Sequence, residues 1–218
     1  MNLICLDLDG TLEDSRHDMV AVVHRVRAAL QLPARPDEAI LPWVNRGMDP
    51  LYRACFDDYL KEDETRIAEV RRRYETDYLG NAVCKTELYP GIRSALPKLA
   101  ESAMLALVTN KPERISRRML EILRIDKHFT ALIGGDTLLA TKPDPALLRE
   151  AAKRCGFDSV KGRAVMIGDT AADIKMGRAF GAATVWCAWG YATDSGEAPD
   201  LTAKRPEELP RLVSTLLS

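Results

Sequence analysis

The sequence has no strong charge of either sign. Its 31 lysines and arginines face 32 aspartates and glutamates, for a net charge of -1 over 218 residues. That balance gives no sign of a nucleic-acid-binding surface, so any anionic ligand must be attracted locally. Cysteine has no pattern: Cys5, Cys55, Cys84, Cys155 and Cys187 are scattered and without CxxC spacing, as packed thiols in a reducing cytosol would be. His17, His24 and His128 are dispersed without ligand spacing and read as surface or packing residues. No uncharged apolar stretch is long enough to span a bilayer, and the first apolar run has no basic flank and is soon interrupted by Asp7. The expectation is a cytoplasmic protein with no export signal and no membrane partner. Internal repeats and low-complexity tracts are lacking too, and nothing reads as a dedicated interface between copies.

What remains is an ordinary globular composition, 46% hydrophobic and 29% charged, long enough for one α/β domain with a smaller insert. The chain opens with "NLICLDLDGTLEDS". Leu3 to Leu6 are apolar on both strand faces, the pattern of an interior strand in a covered parallel sheet. Asp7 and Asp9 alternate with apolar neighbours, so they project to one side, roughly 6–7 Å apart along the strand. Two like charges there need a partner, and a divalent cation or a shared proton relieves them. The next residues, up to about Val83, are helical in character, with "RRRY" at 71–74 read as a solvated helix face.

From Tyr89 onward helices and strands alternate. Helices are expected over 91–101, 112–124, 144–155, 171–180 and near 206–217, with strands "MLALVTN", "ALIGGD", "RAVMIGD" and "ATVWCAW" between them. This predicts an α/β fold with a doubly wound parallel sheet, its Rossmann-type core formed by 1–13 and 86–218. Residues 14–85 form an inserted helical cap domain, placed to act as a lid over the carboxylate pair.

Polar residues recur at the strand ends: Asp7 and Asp9, Thr109-Asn110, Lys142 in "ATKPDP", and Asp169 with Asp173 in "GDTAAD". Parallel-sheet geometry gathers such ends on one edge. A carboxylate there is a sufficient nucleophile toward phosphorus, which suits Asp7. A second one, Asp9, can protonate a leaving alkoxide and deprotonate a water. The transferring phosphoryl group needs a hydroxyl, a cation and a metal around it, and Thr109, Lys142 and Mg²⁺ supply these. Mg²⁺ prefers hard oxygen ligands and keeps some water, so Asp7, Asp169 and a main-chain carbonyl suffice. Trp186 and Trp189 read as packing residues.

"DLDGTLEDS", "VTN", the lysine of "KPDP" and "GDTAAD" resemble, in order, the four motifs of the haloacid-dehalogenase-like hydrolase superfamily. "WVNRGMDPLYRA", "LALVTNKPE", "KPDPALL" and "WGYA" are similar to its bacterial phosphoglycolate phosphatase branch. The resemblance implies Asp7 as nucleophile and Asp9 as general acid/base with its main-chain carbonyl on the metal. It implies Thr109 and Lys142 on the phosphoryl group, with Asn110 adding a main-chain donor there. Asp169 binds Mg²⁺, and Asp173 supports the metal site from behind. The expected substrate is a small phosphorylated metabolite, 2-phosphoglycolate first, with another small phosphometabolite as the alternative. Sugar-phosphate mutases share the core motifs and are the alternative enzyme class, and a non-catalytic phosphoryl-binding protein the alternative outside enzymes. In the insert, the loop "VNRGMD" has Gly47 and Pro50 to shape it, and Arg46 is its candidate for a substrate carboxylate.

Overall fold

The structure, a computed structural model, describes residues 1–44, 46–61 and 63–218. The chain divides into two compact units, Met1–Asp14 with Leu88–Ser218, and Ser15–Glu87. It begins with β1 (Asn2–Leu6) and the short β2 (Glu13–Asp14), then enters the second unit. That unit holds α1 (Arg16–Ala29), α2 (Asp37–Ile40), α3 (Met48–Cys55), α4 (Asp57–Leu60) and α5 (Glu64–Gly80).

The helices α1 and α5 pack side by side because α1 turns Met19, Val22, Val23 and Val26 to one buried face. Arg25 on α1 bridges to Asp77 on α5 at 2.6 Å. The start of α5 is capped by the Asp63 carboxylate, which accepts the Thr65 N–H at 3.0 Å. Tyr52, Tyr74 and Tyr78 meet edge to face in the centre of this unit. Its last residues are pinned to α1 by Asp18, whose carboxylate accepts the main-chain N–H groups of Lys85 and Thr86 at 2.9 Å.

After β3 (Glu87–Leu88), which forms a small two-stranded sheet with β2, the first unit resumes. It runs α6 (Ile92–Ser102), β4 (Ala103–Val108), α7 (Glu113–Ile122), β5 (Ala131–Ile133), α8 (Ala146–Cys155), β6 (Ala164–Gly168), α9 (Ala171–Phe180), β7 (Ala183–Cys187), β8 (Leu201–Ala203) and α10 (Leu209–Leu217). The six-stranded sheet has the order β5-β4-β1-β6-β7-β8, and every pair is parallel. The fold class is therefore the expected one, an α/β unit whose sheet winds outward in both directions from β1. Leu3 and Cys5 join the buried cluster that α8 and α9 form on one face, with Leu147, Ala151 and Met176. On the other face α6 and α10 pack against each other and against β4 and β6. Both faces of β1 are thus covered, as its unbroken apolar run requires, each large side chain contributing about 1.5–3 kcal/mol by burial.

Strand register aligns the ends that matter. Leu6 lies opposite Leu107 on one side and Ile167 on the other, so β1, β4 and β6 finish together. The strands stop earlier than the sequence patterns suggest: β4 ends at Val108, β5 at Ile133 and β7 at Cys187, and Thr109-Asn110, Gly134-Gly135-Asp136 and Ala188-Trp189 lie in the loops that follow. The sixth strand, β8, was not expected. Its three residues, flanked by Pro199-Asp200 and Lys204, are too few to show a period of two. Among the described residues, no helix is long and apolar enough to cross a membrane.

Candidate active site

Asp7 is the first residue past β1, yet it stays in the sheet's hydrogen-bond ladder, its N–H donating to the Ile167 carbonyl at 3.0 Å. The chain then folds into a tight turn, with Leu12 N–H donating to the Leu8 carbonyl at 2.8 Å and Gly10 at φ +77°. This turn separates the two aspartates chemically. Asp7 Oδ1 lies 2.7 Å from Lys142 Nζ, while Asp9 Oδ1 lies 2.5 Å from Lys111 Nζ. Each carboxylate has its own lysine, and both lysines are almost wholly buried. Lys111 drew no role from the sequence, where it is one more loop lysine before a proline.

Lys142 also reaches Asp173 Oδ1 at 2.7 Å, so its ammonium bridges two carboxylates. Burial works against that charge, but Asp173 and Asp7 outweigh it and raise the lysine's pKa above the ordinary value. Asp7 moves the other way from an ordinary paired acid. Burial dominates the attraction of Lys142, and the neighbouring Asp173 and Asp169 add to it, so its pKa stands well above the usual carboxylate range.

Thr109 follows β4, is buried, and takes the Lys111 N–H on its hydroxyl oxygen at 3.1 Å. Asn110 uses its side chain: the amide oxygen accepts the Lys142 main-chain N–H at 3.0 Å and so ties the two loops together. Asp173 sits in the first turn of α9, where its Oδ2 accepts from the N–H and hydroxyl of Thr170 at 3.1 and 2.7 Å.

Asp169 is fully buried just past β6. Its Oδ2 accepts the Tyr191 N–H at 2.8 Å, its Oδ1 the Thr11 hydroxyl at 3.3 Å, and its main-chain oxygen the Trp186 indole N–H at 2.9 Å. A Cβ at Gly10 would lie 2.4 Å from Asp169 Oδ2, and one at Gly190 would lie 2.2 Å from Asp169 Cβ. Glycine at these two positions is what lets the carboxylate sit there. Burial first, and Asp173 next, push the Asp169 carboxyl up to about 7. Trp189 braces the turn after Asp9, its indole N–H donating to the Thr11 carbonyl at 3.1 Å. Neither tryptophan is merely packed.

Asp7, Asp169 and Asp173 each offer a carboxylate oxygen, and these oxygens lie within 4.8 Å of one another. Three buried carboxylates converge here on the Lys142 ammonium, and burial first, with the neighbouring carboxylates adding to it, raises the pKa values of Asp7 and Asp169. A hard divalent cation such as Mg²⁺ fits this oxygen donor set. The carboxylate of Asp9 is turned to Lys111. Arg46 belongs to the helical unit, where it is exposed and its guanidinium stacks over the Trp43 ring at 5.0 Å. Asn45 of the same loop lies outside the described residues.

The chain is 33% identical over 214 residues to a phosphoglycolate phosphatase of Aquifex aeolicus, covering 98% of this chain and 97% of that protein. It is 35% identical over 195 residues to a phosphoglycolate phosphatase of Haemophilus influenzae, covering 87% and 86%. The crystal structure of a predicted phosphoglycolate phosphatase from Haemophilus somnus 129pt superposes with a TM-score of 0.85 at 26% identity, over 98% of both chains. Residues 4–187 match the haloacid dehalogenase-like hydrolase family as a whole, and the chain belongs to that family.

Proposed function

We propose that this phosphoric monoester hydrolase is Mg²⁺-dependent, works through an aspartyl-phosphate on Asp7, and acts on 2-phosphoglycolate. The observation that carries the mechanism is the placement of Asp7 at the end of the central strand, 2.7 Å from Lys142 and beside Asp169. In the first step a carboxylate oxygen of Asp7 bonds to phosphorus as the ester P–O bond breaks, and Asp9 gives a proton to the departing alkoxide. In the second, Asp9 takes a proton from water as its oxygen bonds to phosphorus. The acyl phosphate bond breaks, and Asp7 and inorganic phosphate are released. Thr109 and Lys142 hold the phosphoryl oxygens throughout, and Asn110 keeps the Lys142 loop in place.

Asp7 and Asp169, with the main-chain carbonyl of Asp9, would hold Mg²⁺, which when bound supplies positive charge to the phosphoryl oxygens. Asp173 orients Lys142 from behind. The helical unit is inserted shortly after Asp9, and we assign it the part of a cap that selects the substrate through the loop bearing Arg46. The names of the relatives support 2-phosphoglycolate, whose carboxylate matches an arginine's paired donors. Five free cysteines, four of them buried, fit a cytoplasmic location.

A panel of phosphorylated metabolites, compared by kcat/KM with Mg²⁺ and with chelator, tests this reading. The expected result is a clear preference for 2-phosphoglycolate, lost with chelator and in Asp7→Asn. Substantial turnover by Asp7→Asn would remove the nucleophile, and preference for a different metabolite would remove the substrate.

A further inference from the structure

Lys111 has no part in the mechanism above, yet its side chain is 1% exposed and its ammonium lies 2.5 Å from Asp9 Oδ1. The residue is held from both ends. Its N–H donates to the Thr109 hydroxyl oxygen, its carbonyl accepts the Gly135 N–H at 2.9 Å, and its Nζ also touches Met119 Sδ at 3.5 Å. Burying an ammonium and ordering its long stem are both costly, and an apolar side chain of that length would pack against Met119 at less expense. A buried ion pair is therefore weak support for stability and calls for another reason. Asp9 supplies one. It sits at the start of a tight turn with part of its side chain open to solvent, so its carboxylate needs something to fix its direction.

We propose that Lys111 is a positioning residue for proton transfer, holding the Asp9 carboxylate in the orientation that meets the leaving oxygen of the substrate. The proposal rests on Asp9 exchanging that proton, as described above. The two lysines of the site then have separate roles, Lys142 serving the nucleophile and the phosphoryl group and Lys111 serving the acid/base. Misplacing a catalytic group by an ångström costs about 10²-fold, so loss of the tether should be felt wherever the proton is needed and nowhere else.

Leaving-group dependence reads this directly. An alkyl phosphate releases an alkoxide that must be protonated as it leaves, whereas p-nitrophenyl phosphate releases a phenolate stable enough to leave without a proton. For both substrates kcat/KM covers only the steps through formation of the aspartyl-phosphate. Lys111→Met should lower kcat/KM for the alkyl phosphate by about 30-fold or more and for p-nitrophenyl phosphate by less than about threefold. Lys111→Arg should recover most of the loss, and in an Asp9→Asn background Lys111→Met should add nothing. Lys111→Gln serves in the same way if the methionine variant does not fold. Equal losses on both substrates would mean a structural role and overturn the proposal, as would a Lys111→Met effect that persists without Asp9. Asp9→Asn alone tests the underlying reading: if it shows no leaving-group dependence, that reading fails and the proposal with it.

Discussion

The indole N–H of Trp186 donates to the main-chain carbonyl of Asp169 at 2.9 Å although 17 positions separate the two residues. Strand pairing makes the contact possible, since Trp186 on β7 is the register partner of Gly168 at the end of β6. The segment that follows continues the grip. Trp189 holds the Thr11 carbonyl, Gly190 gives way to the Asp169 side chain, and Tyr191 donates to its carboxylate. A stretch that follows the fifth core strand thus braces both the turn after Asp9 and the carboxylate assigned to the metal.

Trp186→Phe keeps most of the ring and removes one hydrogen bond, worth about 0.5–1.5 kcal/mol net. Its Mg²⁺ affinity should fall about two- to tenfold, as measured by isothermal titration calorimetry. Gly190→Ala places a methyl 2.2 Å from Asp169 Cβ and should weaken Mg²⁺ binding by more than about tenfold. Wild-type affinity in Gly190→Ala would mean that the segment does not position Asp169.

Lys142→Ala leaves Asp7 and Asp173 buried together without their shared ammonium. Removing one partner of a buried pair costs about 3–5 kcal/mol, which for a chain of this size lowers Tm by roughly 6–20 °C. Activity should be lost. The Mg²⁺-induced rise in Tm should be larger in the variant than in the wild type, because the cation then takes over charge neutralisation. Calorimetric scans with and without Mg²⁺ decide it, and an unchanged Tm would place Lys142 outside the buried cluster.

Much of this site was legible in the chain because local patterns carry it. The apolar run Leu3–Leu6 marks an interior strand, and Asp7, Thr109 and Asp169 each stand at the point where such a run ends. What the chain could not display is which lysine serves which acid. Lys111 pairs with Asp9 across about half the length of the sequence, and no local periodicity reports a contact at that separation. The side-chain contacts of Asn110 and the two tryptophans were similarly opaque, since an amide oxygen or an indole N–H finds its main-chain partner only once the sheet has brought the loops after β1, β4, β5 and β6 and the end of β7 together along one edge. The strand β8 was missed for a different reason: three residues at a sheet edge bury too little to leave an apolar signature.

The cysteines offer an independent check on burial. Cys5, Cys55, Cys155 and Cys187 are buried, and Cys84 is exposed. Burial pushes the Cys55 thiol up to about 11, and it raises Cys5, Cys155 and Cys187 as well. A raised pKa lowers the thiolate fraction at any pH below it, and thiolate is the reactive form. At pH 8 an aromatic disulfide reagent should therefore titrate one thiol in the native protein and five in denaturant. Rapid reaction of a second native thiol would show that one of the buried positions is open to solvent.

Arg46 offers the test of substrate choice, because its guanidinium is stacked on Trp43 at 5.0 Å while the residue itself remains exposed. Stacking on an aromatic face leaves the planar edge of the guanidinium free for a carboxylate, and it restricts a side chain that would otherwise sample many rotamers. Binding a substrate carboxylate then costs less ordering entropy than it would for a free arginine. Arg46→Ala should lower kcat/KM for 2-phosphoglycolate by about tenfold or more and leave p-nitrophenyl phosphate, which lacks a carboxylate, nearly unchanged. Trp43→Leu should show the same selectivity with a smaller loss, about two- to fivefold, because it removes the stacking and keeps the charge. Equal losses on both substrates would trace the effect to folding of the helical unit, and no loss on either would exclude Arg46 from substrate recognition.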